Sequence, residues 1–288
     1  MVNARLYFVH ALSPLHAGTG QGSGVIDLPI AREKATGLPF LPGSSVKGVL
    51  RDGSDTTLRT AVFGPDTINA SDHAGAIQLA DARLLLLPVR SLRGTFAWVT
   101  SPYVLQRFER DARDVGISDL PALPQIDSND SCAITTASVL KLEVRGSERV
   151  VLEDLDLRPS PSETVASWAT WLAQHALGGE PALQSLIAGR LCIVHDDLLN
   201  FLLSTALEVT ARVRLKPDAK TVDSGALWYE EALPAETVLA GLVAATPNAK
   251  GGATAKQVFG VVASASEHAL QFGGKATVGR GLCRIRLS

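Results

Sequence analysis

Residues 4–13 contain an apolar run that reads as a strand, in which Leu6 and Phe8 fall on one face and Tyr7 and Val9 on the other. A period of two residues is that of a β-strand. This stretch is therefore predicted to be a strand close to the start of the chain.

Longer apolar runs and helical periodicity predict further elements. Residues 192–206 predict a strand and then a helix that is capped by Asp196 or Asp197. The other predicted segments are a strand region at 75–92, a strand leading into a helix at 96–108, helices at 165–177 and 255–270, and surface loops at 111–131 and 158–164. Because strands and helices mix without strict alternation, the sequence predicts an α+β fold.

A second alternating stretch predicts a long hairpin over approximately residues 208–235. Thr210, Arg212 and Arg214 alternate with apolar residues, so one face of the first strand is basic. Trp228 lies on the returning strand. Aromatic and cationic side chains together can stack on nucleic-acid bases, whereas the alternative is a hairpin that packs its aromatic residue against the body of the protein.

The composition is that of an ordinary globular protein. The chain has 288 residues, of which 46% are hydrophobic and 19% charged, enough for one large domain or two small ones. It has no apolar run of membrane-spanning length and no signal-peptide pattern, so we expect a cytoplasmic protein. Three cysteines without paired spacing support neither a disulfide framework nor a zinc knuckle.

The net charge of −2 argues against a protein that coats nucleic acid over its whole surface. Residues 1–51 nevertheless contain five basic and two acidic residues, whereas the remainder contains 22 basic and 27 acidic residues. A binding site for a polyanion is therefore expected in this N-terminal fifth or on a few basic strands.

Four glycines at alternating positions, from Gly18 and Gly20 to Gly24, form a loop within residues 15–30. Their spacing fits neither the dinucleotide-binding nor the P-loop fingerprint, which disfavours a stand-alone enzyme acting on a phosphate ligand. A loop that contacts a ligand and a loop whose glycines are merely structural both remain open.

The stretch LPGSSVKGVLR follows, and it predicts a helix with a serine cap. Ser44 and Ser45 lie at its start, and Lys47 and Arg51 are spaced four residues apart on one side. A helix N-terminus with nearby cations suits a sugar-phosphate backbone. The alternative is an amphipathic helix with two solvated cations.

Asp27 lies among apolar residues, where a carboxylate is costly unless it is paired or binds a cation. From the residues alone, a salt bridge to Arg32 or Arg51 is favoured over catalysis. His16 at the loop entrance is ambiguous in the same way, since a packed or surface histidine is more common than a catalytic base.

Four blocks together resemble one family closely. They are LSPLHAGTGQGSGVIDLPIAREKATGLPFLPGSSVKGVLR, DARLLLLPVRSLRGTFAWVTSPYVL, GALWYEEALP and GGKATVGRGL. This combination resembles the RAMP-superfamily backbone subunits of type III-B CRISPR effectors, the Cmr complexes. The resemblance implies one domain over residues 1–288, with a modified ferredoxin-like (RRM-like) palm, finger insertions, a protruding thumb at 208–235 and a closing glycine-rich loop at 273–281.

The resemblance also implies a function in antiviral defence. Several copies would stack along a guide RNA together with other Cmr subunits, and the filament would cleave complementary single-stranded target RNA at regular intervals. This endoribonuclease would use Mg²⁺ or Mn²⁺ and leave cyclic phosphate ends. The alternative is a backbone subunit of the same complex that binds RNA without cleaving it.

The resemblance assigns roles to particular residues. Asp27 would be the catalytic aspartate and metal ligand, a role that overrides the salt bridge favoured from the residues alone. The other residues implied in catalysis are His16, Tyr229, Glu230 and Glu231. Those implied in RNA binding are Gly18, Gly20, Ser44, Ser45, Lys47, Arg51, Arg212, Arg214, Trp228, Gly279, Arg280 and Gly281.

Overall fold

The computed structural model describes residues 3–22, 24–54, 56–66, 72–179, 181–219, 221–246 and 252–288. The strands are β1 (Ala4–Ala11), β2 (Phe40–Leu41), β3 (Ile77–Leu79), β4 (Ala82–Arg90), β5 (Phe96–Thr100), β6 (Ser131–Ile134), β7 (Leu142–Val144), β8 (Ser147–Leu152), β9 (Leu155–Pro161), β10 (Leu191–Val194), β11 (Glu208–Leu215), β12 (Val222–Ala232), β13 (Val238–Ala245), β14 (Leu270–Gln271) and β15 (Leu282–Leu287). The helices are α1 (Gly43–Asp52), α2 (Arg59–Phe63), α3 (Pro102–Asp114), α4 (Glu163–His175), α5 (Pro181–Arg190), α6 (Asp196–Thr205) and α7 (Ala255–Ala265).

Within the described ranges, thirteen of the strands form one mixed sheet. Its order is β14-β15-β1-β13-β4-β5-β10-β6-β9-β8-β7, with β2 paired to β4 and β3 paired to β13. The β5–β10 and β6–β9 pairs are parallel. The predicted mixture of helices and strands is thus confirmed as a mixed α/β fold with a large sheet.

Strand β1 lies near one end of this sheet, between β13 and β15, and is buried on both faces. Phe8 packs against Phe108 of α3 and Trp171 of α4. The Tyr7 hydroxyl donates a 2.6 Å hydrogen bond to the Ala80 carbonyl. Helices therefore cover one face of β1, and the polar atom of its largest side chain is satisfied inside the fold.

Two predicted helix caps are wrong. Helix α1 begins at Gly43 after Pro42, without a side-chain cap, and the Gly43 N–H donates to Asp81 Oδ1 at 2.8 Å. Helix α6 is capped by His195, whose Nδ1 accepts a 3.2 Å hydrogen bond from the Asp197 N–H. In both helices, a free N–H group of the first turn donates to a residue that the usual preferences for capping residues do not predict.

One predicted surface loop is partly wrong, because residues 158–161 belong to β9. Arg158 and Ser162 donate their N–H groups to the Asp130 and Ile134 carbonyls on the β6 side. Since alternate N–H groups of a strand point to opposite neighbours, Pro159 lies where no N–H is required. The stretch 111–131 is a loop from residue 115 onward, after the end of α3.

Strands β11 and β12 form a separate two-stranded sheet, as the sequence predicted. Arg212 pairs with Trp228, and Val213 with Leu227. The apolar residues Val213 and Leu227 are about half exposed, at 46% and 54%. The outer part of this hairpin therefore does not pack against the body of the protein.

None of the helices in the described part of the chain has the length and apolar character that crossing a membrane requires.

Candidate functional site

The glycine loop runs beside β12 and is fixed to it by main-chain hydrogen bonds. The Leu28 N–H donates to the Tyr229 carbonyl, and the Glu231 N–H donates to the Leu28 carbonyl, both at 3.0 Å. The Ile30 N–H donates to Glu231 Oε2 at 3.0 Å. This pairing places the residue before Leu28 at the edge of the hairpin.

That residue is Asp27, and its side chain is exposed. Its Oδ2 accepts a 2.7 Å hydrogen bond from the Tyr229 N–H. The alternative of a salt bridge to Arg32 or Arg51 is wrong, because Arg32 pairs with Glu231 and Arg51 with Asp66. Asp27 thus keeps one carboxylate oxygen without a protein partner among the described residues.

An open groove lies between the glycine loop, the hairpin and the closing loop. Asp27 lines it together with Arg214, Asp223, Trp228 and Lys275. Acidic, basic and aromatic side chains therefore meet in one groove, which suits a ligand that carries both phosphates and bases.

Glu230 lies beneath this groove and is 2% exposed. Its Oε1 accepts hydrogen bonds from Trp228 Nε1 and Lys275 Nζ, both at 2.8 Å, and its Oε2 accepts one from Arg212 Nε at 3.3 Å. Burial alone would raise the pKa of Glu230, but the hydrogen bonds from Lys275, Trp228 and Arg212 and the charge of Lys275 outweigh it and lower that pKa to about 2. Glu230 is therefore an ionised anchor for two groove side chains, those of Trp228 and Lys275, and for Arg212.

Glu231 points to the other side of β12 and is also buried. Its Oε1 accepts from Arg32 Nη2 at 2.6 Å, and Arg32 also donates to the carbonyls of Gly37 and Leu203. The pair therefore ties the glycine loop to the end of α6. Of the two adjacent carboxylates, Glu230 faces the groove side and Glu231 holds the scaffold.

His16 is 7% exposed, and its Nδ1 lies 2.6 Å from the Glu231 carbonyl oxygen. Because a carbonyl only accepts, Nδ1 carries the proton of this bond. A Cβ on Gly18 would lie 2.5 Å from His16 Nε2, so glycine is needed there for the ring to fit. The Gly274 N–H donates to the His16 carbonyl at 3.1 Å. His16 thereby joins the glycine loop, β12 and the closing loop.

The closing loop is packed tightly at its end. Gly281 has φ +83°, and a Cβ there would lie 1.9 Å from the Phe272 carbonyl oxygen. Arg280 is 7% exposed and donates from Nη2 to Thr210 Oγ1 at 2.9 Å. Gly279 has φ +80° and open space around it. Arg280 therefore fastens the loop to the base of the hairpin.

The residues implied in guide binding on α1 lie apart from the groove. Helix α1 packs against β3, α2 and α7, and no α1 residue in the described ranges lines the groove. Ser44 is exposed and Ser45 half-buried. Arg51 is bound by Asp66 and by the Pro65 carbonyl at 2.9 Å, whereas Lys47 has no ion-pair partner among the described residues.

The remaining implied residues divide by exposure. Tyr229 is 39% exposed, and its main chain holds Asp27. Arg214 is exposed at the groove, while Arg212 is bound to Glu230. Gly20 has φ +94°, and a Cβ there would meet no atom within 4 Å, so its backbone is open to a ligand.

Comparison with known proteins identifies the family. The model of the RAMP superfamily matches residues 8–284. The chain belongs to the RAMP superfamily. This confirms the resemblance carried by the four sequence blocks.

Two relatives of this RAMP protein are Cmr4 proteins. It is 35% identical over 296 residues to the CRISPR system Cmr endoribonuclease Cmr4 of Pyrococcus furiosus, covering 99% of this chain and 96% of the relative. It is 21% identical to the CRISPR system CMR subunit Cmr4 of Saccharolobus solfataricus, covering 97% of this chain and 95% of the relative.

Solved structures share the fold of this RAMP protein over nearly the whole chain. Oligomeric Cmr4 from Pyrococcus furiosus aligns with a TM-score of 0.76 at 28% identity, covering 100% of this chain and 99% of that one. A chain in the type III-B Cmr-beta complex bound to cognate target RNA aligns with a TM-score of 0.73 at 18% identity, covering 99% and 96%. The second likeness concerns the fold alone.

The donor set at Asp27 fits only a sparsely ligated cation. Within the described ranges, no group of three or more His, Cys, Asp or Glu side chains could hold a metal ion. One free carboxylate oxygen of Asp27 remains, and Mg²⁺ is often bound through one or two carboxylates, substrate phosphates and several waters. The residues therefore fit a hydrated hard cation that a bound phosphate would complete.

Sequence reasoning missed two cations at this site, Arg32 as the partner of Glu231 and Lys275 as the partner of Glu230. Lys275 had a signal in the sequence, because it is the cation that follows the paired glycines of the closing loop. The sequence indicated Arg32 only as a partner for Asp27.

Proposed function

We propose that this RAMP protein is a guide-RNA-binding filament subunit of a type III-B CRISPR effector and cleaves complementary single-stranded target RNA at regular intervals. The observation that carries the proposal is Asp27, an exposed carboxylate that the Tyr229 N–H fixes at 2.7 Å. The 35% identity to a Cmr endoribonuclease over 99% of the chain supports it. The likeness to oligomeric Cmr4 supports self-association.

The same proposal includes the division of the chain into a palm, fingers and a thumb. The large sheet would be a ferredoxin-like palm within a single domain over residues 1–288, with finger insertions. The hairpin at 208–235 would be the thumb, and residues 273–281 the closing loop. The separate sheet of β11 and β12 supports this division, because a protruding element can reach a neighbouring subunit or a duplex.

The chemistry follows from the geometry around Asp27. The thumb would displace one nucleotide of the guide–target duplex, so that the adjoining ribose places its 2′-hydroxyl in line with the phosphorus and the 5′-oxygen. The free oxygen of Asp27 accepts the 2′-hydroxyl proton, the O2′–P bond forms and the P–O5′ bond breaks. Water protonates the leaving 5′-oxygen, giving a cyclic phosphate and a 5′-hydroxyl end.

Alternatively, that free oxygen of Asp27 would hold Mg²⁺ or Mn²⁺, alone among the side chains assigned to the site. A bound cation would supply charge neutralisation at the phosphate. Oxygen ligands suit both metals. A single carboxylate makes the metal affinity of the free protein low, so we expect metal to bind together with RNA.

RNA contacts would be distributed over two surfaces. Ser44, Ser45 and Lys47 on α1 would bind the guide backbone, with Arg51 acting through its contacts to Pro65 and Asp66. On the second surface Gly18 and Gly20 of the glycine loop, Arg212, Arg214 and Trp228 of the hairpin, and Gly279, Arg280 and Gly281 of the closing loop would lie against RNA. Target specificity would come from base pairing with the guide.

The test uses complex assembled from partner subunits, guide RNA and either wild-type protein or Asp27→Asn. With labelled complementary RNA and Mg²⁺, the wild type should cut at regular spacing, whereas Asp27→Asn should lose at least about 10²-fold in rate while assembling normally. Asp154→Asn, a fully exposed carboxylate elsewhere, is the matched control. Undiminished cutting by Asp27→Asn would contradict the assignment, and intact target RNA with the wild type would favour the non-cleaving scaffold.

A further inference from the structure

Lys275 occupies a fixed and unusual position in the closing loop. Its φ is +70°, a left-handed conformation that lysine rarely adopts and that costs about 1 kcal/mol or more. Its carbonyl accepts hydrogen bonds from the N–H groups of Val278 at 3.1 Å and Arg280 at 3.3 Å. The preceding Gly274 is bound to the His16 carbonyl. The closing loop therefore holds Lys275 in a backbone conformation that lysine disfavours. Through Gly274, this part of the closing loop is attached to the glycine loop.

From this position in the closing loop, the side chain of Lys275 extends into the groove. Its Nζ donates to Glu230 Oε1 at 2.8 Å, and its side chain is 33% exposed. An ammonium group has three N–H donors. Since Glu230 is the one partner of this side chain among the described residues, two donors remain for a ligand.

Lys275 and Asp27 are placed by neighbouring residues of one strand. Tyr229 holds Asp27 through its N–H, and Glu230, the next residue, holds Lys275. Both side chains line the same groove. A cation and a free carboxylate oxygen thus lie in one groove.

Cleavage of RNA by its own 2′-hydroxyl requires more than a base. A carboxylate close to a phosphodiester repels it, and negative charge on the non-bridging oxygens rises as the O2′–P bond forms. A preorganised cation at those oxygens counters both effects because it is already oriented before the reaction. Lys275 has the charge, the free donors and the fixed position for this.

We infer that Lys275 is a catalytic residue that contacts a non-bridging oxygen of the scissile phosphate, and that Glu230 is the positioning residue that orients it. The inference rests on the proposed function. Lys275 transfers no proton, so the bonds that form and break are those of the reaction given above. The competing role is a tether, in which Lys275 only joins the closing loop to the hairpin.

Two substitutions separate these roles. Lys275→Gln keeps an N–H donor for Glu230 and loses the charge, whereas Lys275→Arg keeps both. In assembled complexes, single-turnover cleavage by Lys275→Gln should fall roughly 10²-fold and that by Lys275→Arg less than about 10-fold. Binding of target RNA with 2′-deoxynucleotides at the cut positions, which cannot be cleaved, should change less than about 3-fold for either variant.

Sulfur substitution reports the contact itself. One of the two phosphorothioate diastereomers at the scissile linkage should slow the wild type and Lys275→Arg, and Lys275→Gln should lose most of that sensitivity. Cleavage by Lys275→Gln at the wild-type rate, or an unchanged sulfur effect, would overturn the role of Lys275 while wild-type cutting leaves the proposed function standing. Absence of cutting by the wild type itself would overturn the proposed function, and the inference with it.

Discussion

At the scale of single residues, burial and partners separate the carboxylates of the site. Asp27 is exposed, with one oxygen held by an N–H group and the other open. Glu230 is 2% exposed and accepts from three side-chain donors. A carboxylate that is fully hydrogen-bonded is a poor base, because its charge is already stabilised. Asp27 is therefore the carboxylate suited to chemistry, and Glu230 the one suited to structure.

Glu230 should make the stability of the protein depend on acid. Its pKa in the folded protein, about 2, lies below the ordinary 4.5, so its stabilisation is present above about pH 4.5 and lost as pH falls through about 2. That shift corresponds to roughly 3 kcal/mol. Glu230→Gln should lower the free energy of unfolding at pH 7 by a similar amount and flatten its fall in acid, as measured by urea unfolding from pH 7 to pH 2.

Glu148→Gln is the matched control for that series, because Glu148 pairs with Lys141 at the surface and is 58% exposed. It should leave the acid dependence unchanged. Glu33 contributes to the acid dependence of all three proteins, since its hydrogen bond from Arg107 lowers its pKa to about 2. An acid dependence of Glu230→Gln equal to that of the wild type would contradict the assigned role of Glu230.

At the scale of elements, two glycines of the closing loop offer a matched comparison. Gly279 and Gly281 both have positive φ, but only at Gly281 would a Cβ meet backbone, 1.9 Å from the Phe272 carbonyl oxygen. Gly279→Ala should therefore cost about 1 kcal/mol of conformational strain, and Gly281→Ala roughly 3–5 kcal/mol, because Phe272 is buried and cannot yield. Thermal and urea unfolding would measure both, and equal costs would show that the loop end is not tightly packed.

The elements that sequence predicted are those whose pattern is decided by burial. Strand β1 is an almost continuous apolar run because both of its faces are covered, and α4 has helical periodicity because Trp168 and Trp171 pack inward. Strand β9 was missed because Pro159 reads as a loop unless its neighbours' hydrogen bonds are known. The cap of α6 was missed because His195 is an uncommon cap.

The site shows the same division between local pattern and long-range contact. The exposure of Asp27 depends on β12, some 200 residues later in the chain, and its expected partner Arg32 is taken by Glu231. Composition cannot reveal which of several carboxylates receives a given cation. Family resemblance pointed to Asp27 where reasoning from its neighbours favoured a salt bridge.

At the scale of the whole molecule, the body and the hairpin have different tasks. The large sheet with its helices holds the buried core, whereas the outer hairpin exposes apolar side chains at Val213, Leu215, Val222 and Leu227. Exposed apolar residues that do not stabilise the body mark a surface for a partner. In a filament, that partner would be RNA or the next subunit, and the length of the hairpin would set where the target is cut.

Shortening the hairpin should therefore separate folding from cleavage. Val213 and Leu227 are paired in register, so residues 214–226 can be replaced by Asn-Gly, which favours a two-residue turn between paired strands. The variant keeps the hydrogen bonds that Arg212 and Trp228 donate to Glu230. Because the removed residues lie mostly in water, the free energy of unfolding should change by only about 0.5 kcal/mol, while target cutting should fall at least about 10²-fold through lost positioning.

A variant of unchanged length, Leu215→Ser with Val222→Ser, separates two ways in which the hairpin could position target RNA. One depends on the length of the hairpin, and the other on contact with its exposed apolar side chains. Both side chains are about half exposed, at 50% and 54%, so their loss should not affect the fold. If the length of the hairpin positions the target RNA, this variant keeps the wild-type spacing of cuts, whereas the shortened hairpin loses it. Labelled RNA cut by assembled complexes would show the spacing. Loss of regular spacing in both variants would assign the effect to apolar contact, and full cutting by the shortened hairpin would show that the hairpin is not the element that positions the scissile phosphate.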